Sequence, residues 1–67
     1  MMIEANSYVA KPYQLGGKFL GQWGLTIELR RFTGPSLDVQ HVTPDREFRS
    51  EEEARVYAAG FYRHHFG

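Results

Sequence analysis

The chain predicts an α+β domain: a three-stranded antiparallel β-meander packed on one C-terminal helix, in the order β-β-β-α. Three observations carry that expectation. Between Gln22 and Arg30, Trp23, Leu25, Ile27 and Leu29 alternate with Gly24, Thr26, Glu28 and Arg30. A period of two with one apolar side marks a strand buried on one face. Glycine- and proline-bearing stretches flank this segment on both sides, as hairpin turns would. Ser50-Glu51-Glu52-Glu53 then opens a stretch whose apolar residues recur at helical spacing.

The first strand is expected over Ser7–Tyr13, after a loose lead-in of residues 1–6. Val9 and Tyr13 fall on one side of it, Tyr8 and Ala10 on the other. Pro12 has no N–H to donate, so this strand belongs at a sheet edge or ends early. Leu15-Gly16-Gly17-Lys18-Phe19-Leu20-Gly21 reads as the hairpin connection, with glycine supplying the positive φ of a tight turn. In the second strand Gly24 lies opposite the core side, which suggests a bulge or a close neighbour. Thr33-Gly34-Pro35-Ser36 is a turn. Leu37–Thr43 forms the third strand, with Leu37, Val39 and His41 on one face and Asp38, Gln40 and Val42 on the other. Pro44-Asp45 ends it, and Arg46-Glu47-Phe48 reads as a short extended piece.

The helix is expected over about 51–65. Ser50 and Glu53 have capping-box spacing, and three glutamates in the first turn complement the positive end of the helix dipole. Arg63, His64 and His65 occupy the opposite end. Ala54, Tyr57, Ala58, Phe61 and His65 form one stripe. The predicted core is Val9, Trp23, Leu25, Ile27, Leu29, Leu37, Val39, Phe48, Ala54, Tyr57, Ala58 and Phe61. The whole of 1–67 is one domain, with the sheet over about 7–48.

Composition narrows the function classes. A 42% hydrophobic and 15% aromatic content is that of a folded chain. There is no cysteine, which excludes disulfides and cysteine-ligated zinc and suits a cytoplasmic setting. Eight basic residues balance eight acidic ones, whereas a dedicated nucleic-acid binder is usually basic. No apolar run reaches membrane-spanning length, and Met1-Met2-Ile3-Glu4-Ala5-Asn6 lacks the basic and apolar regions of a secretory signal.

Little in the sequence points to catalysis. Ser50 is explained by capping, Ser36 by its turn, and Ser7 starts a strand; no Gly-x-Ser-x-Gly elbow occurs. His64 and His65 are adjacent and so diverge by about 100° around a helix, unlike the i, i+4 pairs that chelate metals. His41 lies on a different element. Glu51, Glu52 and Glu53 likewise spread around the axis, and Gly16-Gly17-Lys18 lacks the rest of a phosphate-binding loop. The expectation is a non-enzymatic protein with no cofactor and no metal. The surplus feature is aromatic: Tyr8, Phe19, Phe32, Tyr62 and Phe66 do not fit easily on one covered sheet face. An exposed aromatic patch marks an interface.

Trp23-x-Leu25-x-Ile27, followed by Phe48-x-Ser50-x-Glu52-Glu53-Ala54 and Ala58-Ala59, resembles small uncharacterised bacterial β-β-β-α domains of unknown function. Its pattern is more distantly similar to the three-stranded DNA-binding domains of plant ethylene-response factors and phage integrase arm-binding domains. The resemblance covers about residues 22–59. The bacterial group implies the fold and no activity. The DNA-binding group implies a basic sheet laid in the major groove, and here Glu28 and Asp38 stand on the strands that would meet phosphate.

Two expectations follow. The first is a small protein-interaction module, its partner another protein or a second copy as a homodimer, with Tyr8, Phe32, Tyr62 and Phe66 as the candidate surface. The alternative is a nucleic-acid-binding domain using the sheet face, with Lys11, Lys18, Arg30 and Arg31 on phosphates.

Overall fold

The computed structural model describes residues 2–67 and contains three strands and one α-helix in the expected order: β1 (Ser7–Gln14), β2 (Trp23–Thr33), β3 (Ser36–Val42) and α1 (Glu51–Phe66). The sheet is antiparallel with β2 in the middle. Its register pairs Tyr8 with Leu29 and Ala10 with Ile27 on one side, and Leu29 with Gln40 and Ile27 with Val42 on the other.

The alternation in β2 decides which face is buried. Leu25, Ile27 and Leu29 are almost wholly inaccessible and face α1. The helix meets them with Ala54 and Ala58, one turn apart and both fully buried, so its backbone comes close to the sheet. Larger side chains flank this stripe: Tyr57 and Phe61, and also Tyr62 and Phe66. His65 stays exposed, with its ring 4.4 Å from that of Phe61, so the buried stripe ends one turn earlier than its spacing suggests. At the start of α1, Ser50 Oγ accepts from the Glu53 N–H at 3.1 Å. The Glu53 carboxylate lies 3.6 Å from Arg46 Nη2.

The turns follow glycine chemistry. Gly34 takes a φ of 60° at the first position of the two-residue β2–β3 loop, and Pro35 holds the second. The β1–β2 connection contains a 3-10 turn at Gly17–Phe19, with positive φ at Gly17 and Gly21 rather than at Gly16.

Backbone parity explains Pro12. Leu15 N–H donates to Gln22 O, and in an antiparallel ladder alternate residues of a strand face the same neighbour. Tyr13, Lys11 and Val9 therefore bond toward β2, and Pro12 places its missing N–H on the free edge. On the other flank of β2, Trp23 and Phe48 exchange two backbone hydrogen bonds of 2.8 Å, a single bridge beyond the end of β3. It buries Phe48 beneath the Arg46 guanidinium, which lies 4.6 Å from its ring centre, and against Tyr57 at 5.3 Å.

The core differs from the expectation at three positions. Val9, Leu37 and Val39 are predicted inside, and the register places all three on the opposite face, across from Glu28, Phe32 and Arg30. Tyr8 and Ala10 take the covered side of β1 instead. On β3 the covered positions go to Asp38, Gln40 and Val42, because α1 lies over β1 and β2 and not over β3. The lead-in helps cover that flank: Ala5 is buried, Met2 and Ile3 pack on the core, and Ile3 N–H donates to Gln40 Oε1 at 2.7 Å. The Asn6 side chain exchanges hydrogen bonds of 2.9 and 3.0 Å with the Phe32 backbone, standing in for a strand residue.

The molecule is long, 43 × 19 × 19 Å, with a radius of gyration of 13.0 Å. A compact chain of this length would have about 11 Å. An α-helix of 16 residues spans about 24 Å, whereas the 11 residues of β2 span about 36 Å. The sheet thus extends beyond its helix.

Candidate interaction surface

The face of the sheet opposite α1 is uncovered. Cross-strand partners share a face, so its rows read directly from the register: Tyr13–Gly24, Lys11–Thr26, Val9–Glu28–His41, Ser7–Arg30–Val39 and Phe32–Leu37. The surface has three parts: an aromatic and glycine end, a charged middle and an apolar end at the β2–β3 turn.

At the first end the Tyr13 ring lies over Gly24. A Cβ at position 24 would fall 2.4 Å from the far end of the ring and push it aside, so the glycine admits this close approach and does not serve a positive φ. The ring borders a shallow hollow of about 400 Å³, whose other walls include Phe19, Thr43 and Arg46.

Glu28 holds the middle together. Its carboxylate accepts from Lys11 Nζ at 2.8 Å, pairs with Arg30, and lies 3.1 Å from His41 Nε2. Its side chain is only 8% exposed. The partner side chains screen it from water, since it lies on the sheet surface and not within the core. The hydrogen bond from Lys11, then that from Arg30, hold the carboxyl near a pKa of about 2, below its ordinary 4.5. A carboxylate so poised binds a proton too weakly to serve as a general base or acid near neutrality. It pairs with both cations of the centre of the face and fixes the neighbouring side chains.

At the far end Phe32, Leu37 and Val39 are 50, 49 and 44% exposed. Phe32 and Leu37 are direct cross-strand partners, and Val39 follows Leu37 on the same face of β3. Together they make a contiguous apolar patch shared by the end of the central strand and the edge strand β3.

The aromatic surface expected from the sequence divides between two places. Phe32 is on the open face. Tyr8, Tyr62 and Phe66 are on the covered side, where Tyr8 stacks on Tyr62 at 4.7 Å and Tyr62 meets Phe66 at 5.3 Å. That cluster closes the gap between β1 and the end of α1. The correction has the same origin as that for Val9: Tyr8 is the partner of Leu29, so it shares the core face. Leu37 and Val39 take the exposed places instead. The two-residue turn at Gly34-Pro35 is the sequence signal for them, since it pairs Thr33 with Ser36 and hence Leu29 with Gln40.

The four candidate phosphate contacts do not gather. Lys11 and Arg30 share the open face and are both engaged by Glu28. Arg31 is on the covered side, opposite Asp38 and 3.8 Å from Glu4. Lys18 is in the 3-10 turn, with its ammonium 5.3 Å from the Phe19 ring centre. His41 is on the open face, while His64 and His65 are at the helix end. Among the described residues, no three histidine, cysteine or acidic side chains gather as metal ligands would. Among the described residues no helix is long and apolar enough to cross a membrane.

No protein-family model, no curated protein and no solved structure matches this chain.

Proposed function

We propose that the chain is a small non-enzymatic protein-interaction module that engages its partner through the open sheet face and the adjoining free edge of β3. The observation that carries this reading is the contiguous exposure, on one face of the sheet, of Phe32 at the end of β2 and of Leu37 and Val39 on the edge strand β3. Apolar side chains scattered singly over a surface need no explanation; adjacent ones beside unpaired backbone do. The ion-paired centre supports the same reading. With Glu28 engaging Lys11, Arg30 and His41, the face presents neither the unpaired carboxylate that would repel a protein surface nor the free cations that would draw phosphate. A nucleic-acid role has less support, because Lys11, Arg30, Arg31 and Lys18 fall on three separate parts of the surface.

The test uses a photoreactive benzoylphenylalanine placed at Leu37, and separately at Val56, which is exposed on α1. Irradiation in cells expressing the full chain is expected to give discrete protein adducts from position 37 and none from position 56. No adduct from either position, or the same adducts from both, would overturn the reading.

A further inference from the structure

From the two edges of the sheet we infer that the partner is a second copy of this chain, joined antiparallel through β3 about a two-fold axis at Val39. The inference rests on the reading of the open face as a protein-binding surface and specifies what binds there.

The two edges are built differently. The free edge of β1 carries Pro12, whose missing N–H points outward, next to Lys11; both devices discourage another strand from pairing. β3 has neither lysine nor proline in its seven residues. Its parity follows from β2. Trp23 bonds to Phe48 on the β3 side, so Ile27, Leu29 and Arg31 also face that side and bond to Val42, Gln40 and Asp38. Leu37, Val39 and His41 consequently point N–H and C=O away from the sheet. Among the described residues these groups have no backbone partner.

A strand that pairs with itself must be complementary to itself. Val39 is the middle residue of β3. A two-fold axis there engages the whole strand and sets Val39 against Val39 of the second copy, Leu37 against its His41 and Asp38 against its Gln40. No like charges face one another. An axis at Asp38 would oppose two carboxylates, and an axis at His41 would leave Leu37 beyond the partner strand. With Val39 at the axis, the outward N–H and C=O of Val39, Leu37 and His41 are all paired in register. The apolar patches of the two copies join into one continuous stripe across a six-stranded sheet. The zero net charge removes long-range repulsion between copies.

The experiment is sedimentation equilibrium of the purified full chain from micromolar to millimolar concentration. It is run on the wild type and on Val39→Pro, Val39→Lys and Val56→Lys. The wild type is expected to approach twice the 7.8 kDa chain mass. Val39→Pro removes only the outward N–H and no bond to β2. The loss of both bonds at the axis weakens association by about thirtyfold or more. Val39→Lys sets two ammonium groups at the axis and acts in the same direction, while Val56→Lys leaves association unchanged. Far-UV circular dichroism confirms that each variant is folded, and the lysine variant decides the matter where proline disturbs the strand. A wild type that stays at monomer mass throughout, or folded Val39 variants that associate like the wild type, would overturn the inference. The mass of the adduct from position 37 separates the two readings. Twice the chain mass supports the second copy; another mass leaves the interaction module standing and removes the second copy; no adduct removes both.

Discussion

Replacing Phe48 with alanine tests how much one residue outside the regular strands contributes to this small core. Phe48 is 1% exposed and lies among Trp23, Tyr57 and Arg46. Aromatic side chains bury about 150–250 Å². Truncation to alanine forfeits on the order of 130 Å² of that contact, or about 3 kcal/mol at about 25 cal/mol per Å². The cavity left beneath Arg46 and Tyr57 raises the cost to about 3–5 kcal/mol, the usual range for this truncation. A 67-residue chain at about 0.05–0.15 kcal/mol per residue has about 3–10 kcal/mol in all. Phe48→Ala is therefore expected to remove most of the stability. Urea unfolding followed by the fluorescence of the single tryptophan, Trp23, and by far-UV circular dichroism reads this directly. Phe48→Leu keeps most of the volume and should cost about 1–1.5 kcal/mol. A loss below about 1 kcal/mol for Phe48→Ala would refute the reasoning, since only a site that yields freely could absorb the deletion so cheaply.

Two further outcomes follow from the open face. Gly24→Ala forces the half-exposed Tyr13 ring off the sheet and should cost about 0.5–1 kcal/mol, a cost that vanishes in a Tyr13→Ala background because alanine is otherwise preferred to glycine in a strand. Equal costs in the two backgrounds, measured by urea unfolding, would show that the ring is not the obstacle. The Glu28 carboxyl titrates near a pKa of about 2 when folded against an ordinary 4.5, so its stabilising effect is complete above pH 4.5 and is lost as the pH falls from there through 2. Glu28→Gln should flatten that part of the acid profile of the thermal midpoint. Parallel profiles for the two proteins would mean that the ion pairs of Glu28 do not stabilise the fold.

The elements of the fold were legible where a local signal was strong and unopposed. The strict alternation in β2 could satisfy only one buried face. Ser50 and the glutamates after it mark the helix start by local hydrogen bonding and dipole complementarity, which need no tertiary partner. Gly34-Pro35 and the glycines at 17 and 21 mark turns because of their own backbone preferences.

Facing was less legible on the outer strands. On β3, Leu37 and Val39 outnumber Val42, so counting apolar residues turns the strand the wrong way. The covered face of β3 needs fewer apolar groups because the lead-in, rather than α1, lies against it. On β1 the eight-residue gap between Gln14 and Trp23, with its 3-10 turn, leaves the register open in the sequence. Tyr8 could then be assigned to either face. The candidate site suffered from the same ambiguity: Phe32 was legible, whereas Leu37 and Val39 looked like core and Tyr8 looked like surface. The Glu28 cluster was invisible, because Lys11, Arg30 and His41 come from three strands and only pairing brings them to one carboxylate.

Strand, turn and helix segments and the buried side of β2 are legible in the chain alone, and Pro12 confines β1 to a sheet edge or cuts it short, because each depends on periodicity or on the backbone chemistry of single residues. Which side of β1 and β3 meets the helix, and thus which side chains remain outside, follows from the pairing and packing of distant segments. A slip of one residue turns every side chain of a strand to the other face, and the pairing that forbids the slip is a contact between distant parts of the chain.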